Sequence, residues 1–139
     1  MSLEKNRLEA ERWLKTAEGD LETAVVLFKN NKFAHSCFHS HQAGEKALKA
    51  VWYLLAADPW GHSIKKLIQD LEHVDLSAKR KFEQVTKNAV LLDRYYIPTR
   101  YPNGLPDLTP EEAFLEDDAK MCIDNAGKII ETVKSCLVT

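Results

Sequence analysis

The stretch FAHSCFHSHQAGEKALKAVWYLLAA, residues 33–57, decides the fold class. Phe33, Cys37, Ser40, Gly44, Leu48, Val51 and Leu55 recur at spacings of three and four. That period marks one face of a helix turned toward a core. Ser40, Gly44 and Ala47 are small enough to admit another helix closely. Gly44 costs about 1 kcal/mol of helix propensity relative to alanine, so close packing or a ligand is expected there.

Outward from this helix the same period continues. Residues 3–30 place Trp13, Ala17, Leu21, Ala24 and Phe28 on one stripe, and Asn30-Asn31 marks a tight turn. Asp58-Pro59-Trp60-Gly61 ends the second helix, and His62 or Ser63 can cap a short third one containing Ile64, Leu67, Ile68 and Leu71. A fourth helix is expected from Ser77 to Asp93, with Phe82, Val85, Ala89 and Leu92 inward. The last starts at Thr109-Pro110-Glu111-Glu112, a cap residue, a first-turn proline and a capping-box glutamate, and runs to the C-terminus. No segment alternates with period two. The fold expected is all-α: an up-and-down antiparallel helical bundle of four long helices plus one short helix, in a single domain over residues 1–139.

A chain of 139 residues that is 45% hydrophobic and 29% charged is long and apolar enough to bury a core, which excludes a disordered chain. No run approaches the ~20 apolar residues that span a bilayer, and the N-terminus shows no signal-peptide core. A cytoplasmic location is expected, with no membrane partner. Net charge is -2 with acids and bases interleaved, against a broad non-specific nucleic-acid binder. Cys37, Cys122 and Cys136 lie in helical patterns without CxxC spacing and read as small apolar residues.

Asp93-Arg94-Tyr95-Tyr96-Ile97-Pro98-Thr99-Arg100-Tyr101-Pro102 departs from all this. Two arginines and three tyrosines crowd a segment whose prolines oppose helical geometry. On the second helix, Gln42, Glu45, Lys46 and Lys49 lie within about 100° of one another. They form either a solvated face with one i,i+4 ion pair, or the wall of a groove closed by the connector. In the second reading Lys46, Lys49, Arg94 and Arg100 make an anion site, and Tyr95 and Tyr101 offer rings for stacking. Asp20 and Asp118 sit where apolar residues belong, as supporting acids that Arg94 and Arg100 could satisfy internally. Trp52, Tyr53 and Trp60 are interface anchors or plain core aromatics.

His35 and His39 are i,i+4, but His41 points about 160° away from His39 and no His-Glu-x-x-His frame is present, so no metal site is assigned. No nucleophile elbow or glycine-rich phosphate loop is present, and no catalytic residue is assigned.

With these residues named, the chain resembles the HEPN domain family. Trp13-Leu14-Lys15-Thr16-Ala17-Glu18-Gly19-Asp20-Leu21 is similar to its first-helix pattern, and His41-Gln42-Ala43-Gly44-Glu45-Lys46-Ala47-Leu48-Lys49-Ala50 to its Gln-Gln-Ala-x-Glu-Lys-x-x-Lys-Ala signature. His62-Ser63-Ile64, Arg100-Tyr101-Pro102 and Asp118-Ala119 resemble three further elements in the same order. The resemblance implies a helical bundle that commonly dimerises and is often encoded beside a minimal nucleotidyltransferase. It further implies nucleotide binding, or RNA cleavage in toxin–antitoxin systems. The chain departs from the ribonuclease members, whose arginine is followed by a histidine after four to six intervening residues: no arginine here is. His41 also stands where the signature has its first glutamine.

The expectation is therefore a HEPN-type homodimer that binds a nucleotide or phosphate-bearing ligand, with a minimal nucleotidyltransferase as partner. No cofactor other than a nucleotide is implied. The alternatives are an RNase-like toxin component and a purely structural salt-bridge network with no ligand.

Overall fold

The computed structural model describes residues 2–138, and every regular element among them is helical. Helix α1 spans Leu3–Lys29 and α2 spans Phe33–Leu54. Ser2 opens α1 by accepting the Lys5 N–H at 3.1 Å. Asn31, at φ 62°, makes the reversal into α2, a left-handed conformation that asparagine tolerates. The two helices therefore form an antiparallel hairpin. Helix α2 also packs on three later helices, and is buried around most of its circumference.

Gly44 makes this packing possible. A Cβ there would lie 2.9 Å from Ile64 Cδ1, 3.1 Å from Leu92 Cδ1 and 3.5 Å from Ile129 Cδ1. Three other segments thus converge on bare α2 backbone, the close packing that its glycine implied. Cys37 and Cys122 meet in the same core as free thiols. A hydrogen bond with Cys37, together with burial, pushes the Cys122 thiol far above its ordinary value.

Beyond α2 the chain turns through Ala56 and Gly61, both at positive φ, into α3 (Ile64–Asp70). Ser63, rather than His62, is its cap and accepts the Lys66 N–H at 3.1 Å.

The expected count of four long helices and one short one needs correction. The Ser77–Asp93 segment is two helices, α4 (Leu76–Phe82) and α5 (Thr86–Asp93), separated by a 3-10 turn at Glu83–Val85. In a 3-10 turn residues three apart eclipse, so Phe82 and Val85 both face inward and both are fully buried. The last segment also divides. The capping box at Thr109 forms as expected, but it opens only the four-residue α6 (Pro110–Ala113).

Phe114 is then extended, and α7 runs Glu116–Val138. The break is held by Asp118, whose Oδ2 accepts the Leu115 N–H at 2.9 Å, and by packing of Phe114 against the Tyr95 ring at 5.6 Å. The result is an all-helical bundle with three helices longer than twenty residues. None of the helices among the described residues is long and apolar enough to cross a membrane.

Candidate functional site

Asp93, the last residue of α5, joins three segments. Its carboxylate accepts from Ser63 Oγ at 2.9 Å, from the Ile64 and Lys65 backbone N–H groups at 2.9 and 3.1 Å, and from His41 Nε2 at 3.1 Å. It thereby caps α3 from outside the helix and satisfies one nitrogen of a fully buried histidine. Burial alone would raise the carboxyl, but the hydrogen bonds from His41, Ile64, Lys65 and Ser63 outweigh it and hold Asp93 below its ordinary value.

One turn along α2, Glu45 is buried and shared. Its carboxylate lies 2.9 Å from Lys49 Nζ and 3.2 Å from His62 Nδ1. The i,i+4 pair read from the sequence is therefore desolvated rather than a solvated surface pair: the Glu45 side chain is only 5% exposed and that of Lys49 13%. Breaking such a pair from one side costs about 3–5 kcal/mol, against a few tenths for an exposed one. Lys46 turns toward α1 and pairs with Asp20 at 2.7 Å.

The connector after α5 is a run of tight turns. Its backbone closes through Arg100 N–H to the Ile97 carbonyl at 3.1 Å, and the buried Thr99 hydroxyl donates to the Tyr95 carbonyl. Tyr95 is buried and donates its hydroxyl to Asp118 at 3.0 Å. Tyr96 faces α2, with its ring 4.9 Å from His41 and stacked on His62 at 5.0 Å. The Arg100 Cζ lies 4.6 Å from the Phe38 centroid, 4.5 Å from Tyr96 and 5.0 Å from Tyr101. Its Nε donates to the Tyr96 carbonyl at 3.1 Å, and no carboxylate among the described residues pairs with it. Ring quadrupoles stabilise a guanidinium without neutralising it, so the Nη edge keeps its charge and its donors. Beside it, Ala34, His35, Thr99, Arg100, Thr109, Pro110 and Glu111 line a cleft of about 260 Å³.

The residues singled out in the sequence thus separate. Arg100 and Tyr101 meet at the aromatic cluster, and Glu45 with Lys49 reaches its other edge through His62. Gln42 is half-buried, with its Oε1 lacking a protein partner among the described residues. Tyr95 faces inward to Asp118 rather than out to a ligand. Arg94 is exposed and lines a different cleft, with Thr86, Lys87, Val90 and Leu91.

The two supporting acids are not satisfied by the connector arginines: Lys46 takes Asp20, while Tyr95 and the Leu115 N–H take Asp118. The reason is register, since each acid faces a donor across an immediate helix or turn neighbour. Of the aromatic candidates, Trp52 is buried with its Nε1 bonded to the Leu67 carbonyl, and Tyr53 stacks on Trp13 at 5.0 Å. Trp60 is 84% exposed.

Phe38, His41, His62, Tyr96 and Asp93 were absent from the predicted site. Asp93 and Tyr96 lay within the connector already singled out, while for the two histidines the signal was faint, one in a small-residue helix and one beside a cap. His39, half-buried nearby, is held below the ordinary histidine value by burial, partly opposed by Asp20. It adds no firm cation at neutral pH. No group of three His, Cys, Asp or Glu residues among the described ones could hold a metal ion.

Central α2 burial, a desolvated Glu–Lys pair and a connector closing over them define a small helical domain with one organised polar junction. A model of the HEPN domain matches residues 10–136, and the chain belongs to that family. MJ1304 of Methanocaldococcus jannaschii, described as a candidate toxin, is 31% identical over 133 residues, covering 92% of this chain and 88% of that protein. The crystal structure of TT1696 from Thermus thermophilus superposes with a TM-score of 0.82 at 35% identity, over 91% of this chain and 97% of that one. ST0689, an archaeal HEPN homologue, gives a TM-score of 0.76 at 32% identity, over 93% and 98%.

Proposed function

We propose that this HEPN protein binds a nucleotide or another phosphate-bearing ligand where the connector meets α2, and that it works as a homodimer beside a minimal nucleotidyltransferase. The observation that carries the reading is Arg100, a partly buried cation framed by three rings and unpaired with any acid among the described residues. Lys46 and Lys49, by contrast, are occupied by Asp20 and Glu45, so they support the site instead of neutralising a phosphate directly. Tyr101, 49% exposed against the same guanidinium, is the surface for a base. Arg94 is assigned to the subunit or partner contact, with Val90 and Leu91 beside it.

Calorimetric titration with ATP and AMP tests the reading. Arg100→Ala should weaken binding at least about tenfold, the equivalent of one charge-assisted hydrogen bond, with the circular dichroism spectrum unchanged. Saturable binding indifferent to Arg100→Ala would overturn it. Light scattering should give twice the 15.8 kDa chain mass.

A ribonuclease toxin is the second reading, favoured by the description of MJ1304. RNA cleavage lost on Arg94→Ala or Arg100→Ala would establish it. The absence of a histidine after four to six residues beyond either arginine weighs against it.

A further inference from the structure

The cleft that Arg100 lines carries more than a cation. His35, Thr99, Thr109 and Glu111 share it. Most of its polar groups are already committed inside the protein. The Thr99 hydroxyl donates to the Tyr95 carbonyl. The Thr109 hydroxyl donates to Glu112 Oε1 at 3.0 Å and accepts the Glu112 N–H at 3.3 Å, closing the capping box. Three groups keep free capacity: the Arg100 Nη edge, the exposed His35 ring and one oxygen of Glu111.

Glu111 lies in the first turn of α6. Its Oε1 accepts from Lys32 Nζ at 2.9 Å, which leaves Oε2 without a protein partner among the described residues. The Lys32 hydrogen bond holds the carboxyl below its ordinary value, so the group is ionised at neutral pH and only accepts. Lys32 also offsets its charge, so an anion drawn in by Arg100 is not driven out again. Glu111 and Arg100 share the cleft without pairing with each other, which leaves room for a ligand between them.

An acceptor beside an anion site suits a ligand whose donors lie close to its own anion. A nucleotide carries such donors on its ribose, a few bonds from the 5′-phosphate. Carboxylates are the side chains that dinucleotide-binding folds set against ribose hydroxyls. At about 260 Å³ the cleft is smaller than the ~300–1,000 Å³ of pockets that enclose a whole ligand. It therefore suits a sugar-phosphate, with the base outside on Tyr101. The His35 ring can donate or accept, and so decides nothing between ligands.

We propose that Glu111 is a second ligand-contacting residue, its Oε2 accepting the ribose hydroxyls of a ribonucleotide whose phosphate Arg100 holds. The site thereby selects a ribonucleotide over its deoxy counterpart. This inference rests on the nucleotide-binding reading above and adds the sugar class to it.

The test is calorimetric titration of the full chain with AMP and with 2′,3′-dideoxy-AMP, which share the base and the phosphate. AMP should bind at least about tenfold more tightly, the equivalent of one hydrogen bond to a charged acceptor. Glu111→Ala leaves the capping box intact, because Glu112 supplies its glutamate. It should bring AMP down to the level of the dideoxy compound without weakening the latter, and leave the circular dichroism spectrum unchanged. Arg100→Ala should weaken both nucleotides.

Equal affinities for the two nucleotides, or a ribose preference that survives Glu111→Ala, would overturn the role of Glu111. If Arg100→Ala still weakened binding, the nucleotide reading would stand. A wild-type chain that binds neither AMP nor dideoxy-AMP would overturn both.

Discussion

Asp93→Ala should be among the most damaging single substitutions outside the apolar core. It removes the acceptor of four hydrogen bonds, at 2.9 Å from Ser63 Oγ, 2.9 Å from Ile64 N, 3.1 Å from Lys65 N and 3.1 Å from His41 Nε2. The four are not equal. Lys65 and Ser63 are near enough to water to recover a partner, whereas His41 is fully buried and its Nδ1 already lacks one among the described residues. An orphaned buried imidazole costs about 1–3 kcal/mol, and loss of a helix cap adds about 1 kcal/mol. The expected total is about 2–4 kcal/mol, or roughly 10 °C in Tm for a chain of this length.

Urea unfolding followed by tryptophan fluorescence measures it, with buried Trp52 as the reporter. Asp93→Asn, which keeps the shape and one acceptor, should cost about 1–2 kcal/mol. The charge adds a pH signature. Because the folded carboxyl is held below its ordinary value, its contribution is complete above about pH 4 and is lost as pH falls through the folded value. Asp93→Asn should flatten that acid limb. A loss under about 1 kcal/mol for the alanine variant, with the acid limb unchanged, would refute the clasp.

Two further substitutions probe the packing around it. Gly44→Ala puts a methyl 2.9 Å from Ile64 Cδ1 and 3.1 Å from Leu92 Cδ1. Those side-chain ends must shift, and after the gain in helix propensity the net loss should be about 1 kcal/mol in equilibrium unfolding. Tyr95→Phe removes the hydroxyl bonded to Asp118 at 3.0 Å and should cost about 1–1.5 kcal/mol. Burial and Asp118 push the Tyr95 phenol above its ordinary value, so its stabilisation holds below about pH 10 and is lost as pH rises further. A melting-temperature series against pH should show the phenylalanine variant lacking that alkaline loss.

Helical periodicity made α1 and the start of α2 and α3 legible, although α2 ends at Leu54, three residues before the expected Ala57. The two breaks were hidden. Ser77–Asp93 keeps its apolar spacing through the 3-10 turn, and nothing local distinguishes three residues per turn from 3.6 over one turn. At Phe114 the helix stops for a tertiary reason: the Asp118 carboxylate reaches back to Leu115 while Phe114 packs on Tyr95 from the connector.

The site was legible as a neighbourhood only. The crowding of tyrosine and arginine in residues 93–102 located the connector, and the Glu45–Lys49 spacing gave the ion pair. Which tyrosine faced in, and that His62 would reach Glu45 across seventeen residues, depended on how α3 docks. Spacing carries no such information.

The seat of Arg100 is inherited from behind it. Tyr95 and Thr99 anchor the connector inward, and Tyr95 is tied in turn to Asp118, on the far helix of the bundle. A substitution in the first turn of α7, remote from the guanidinium, would therefore loosen its aim. Under the proposed anion-binding reading, variation along α7 would give evolution a dial for tuning that grip without altering a single group in contact with the ligand.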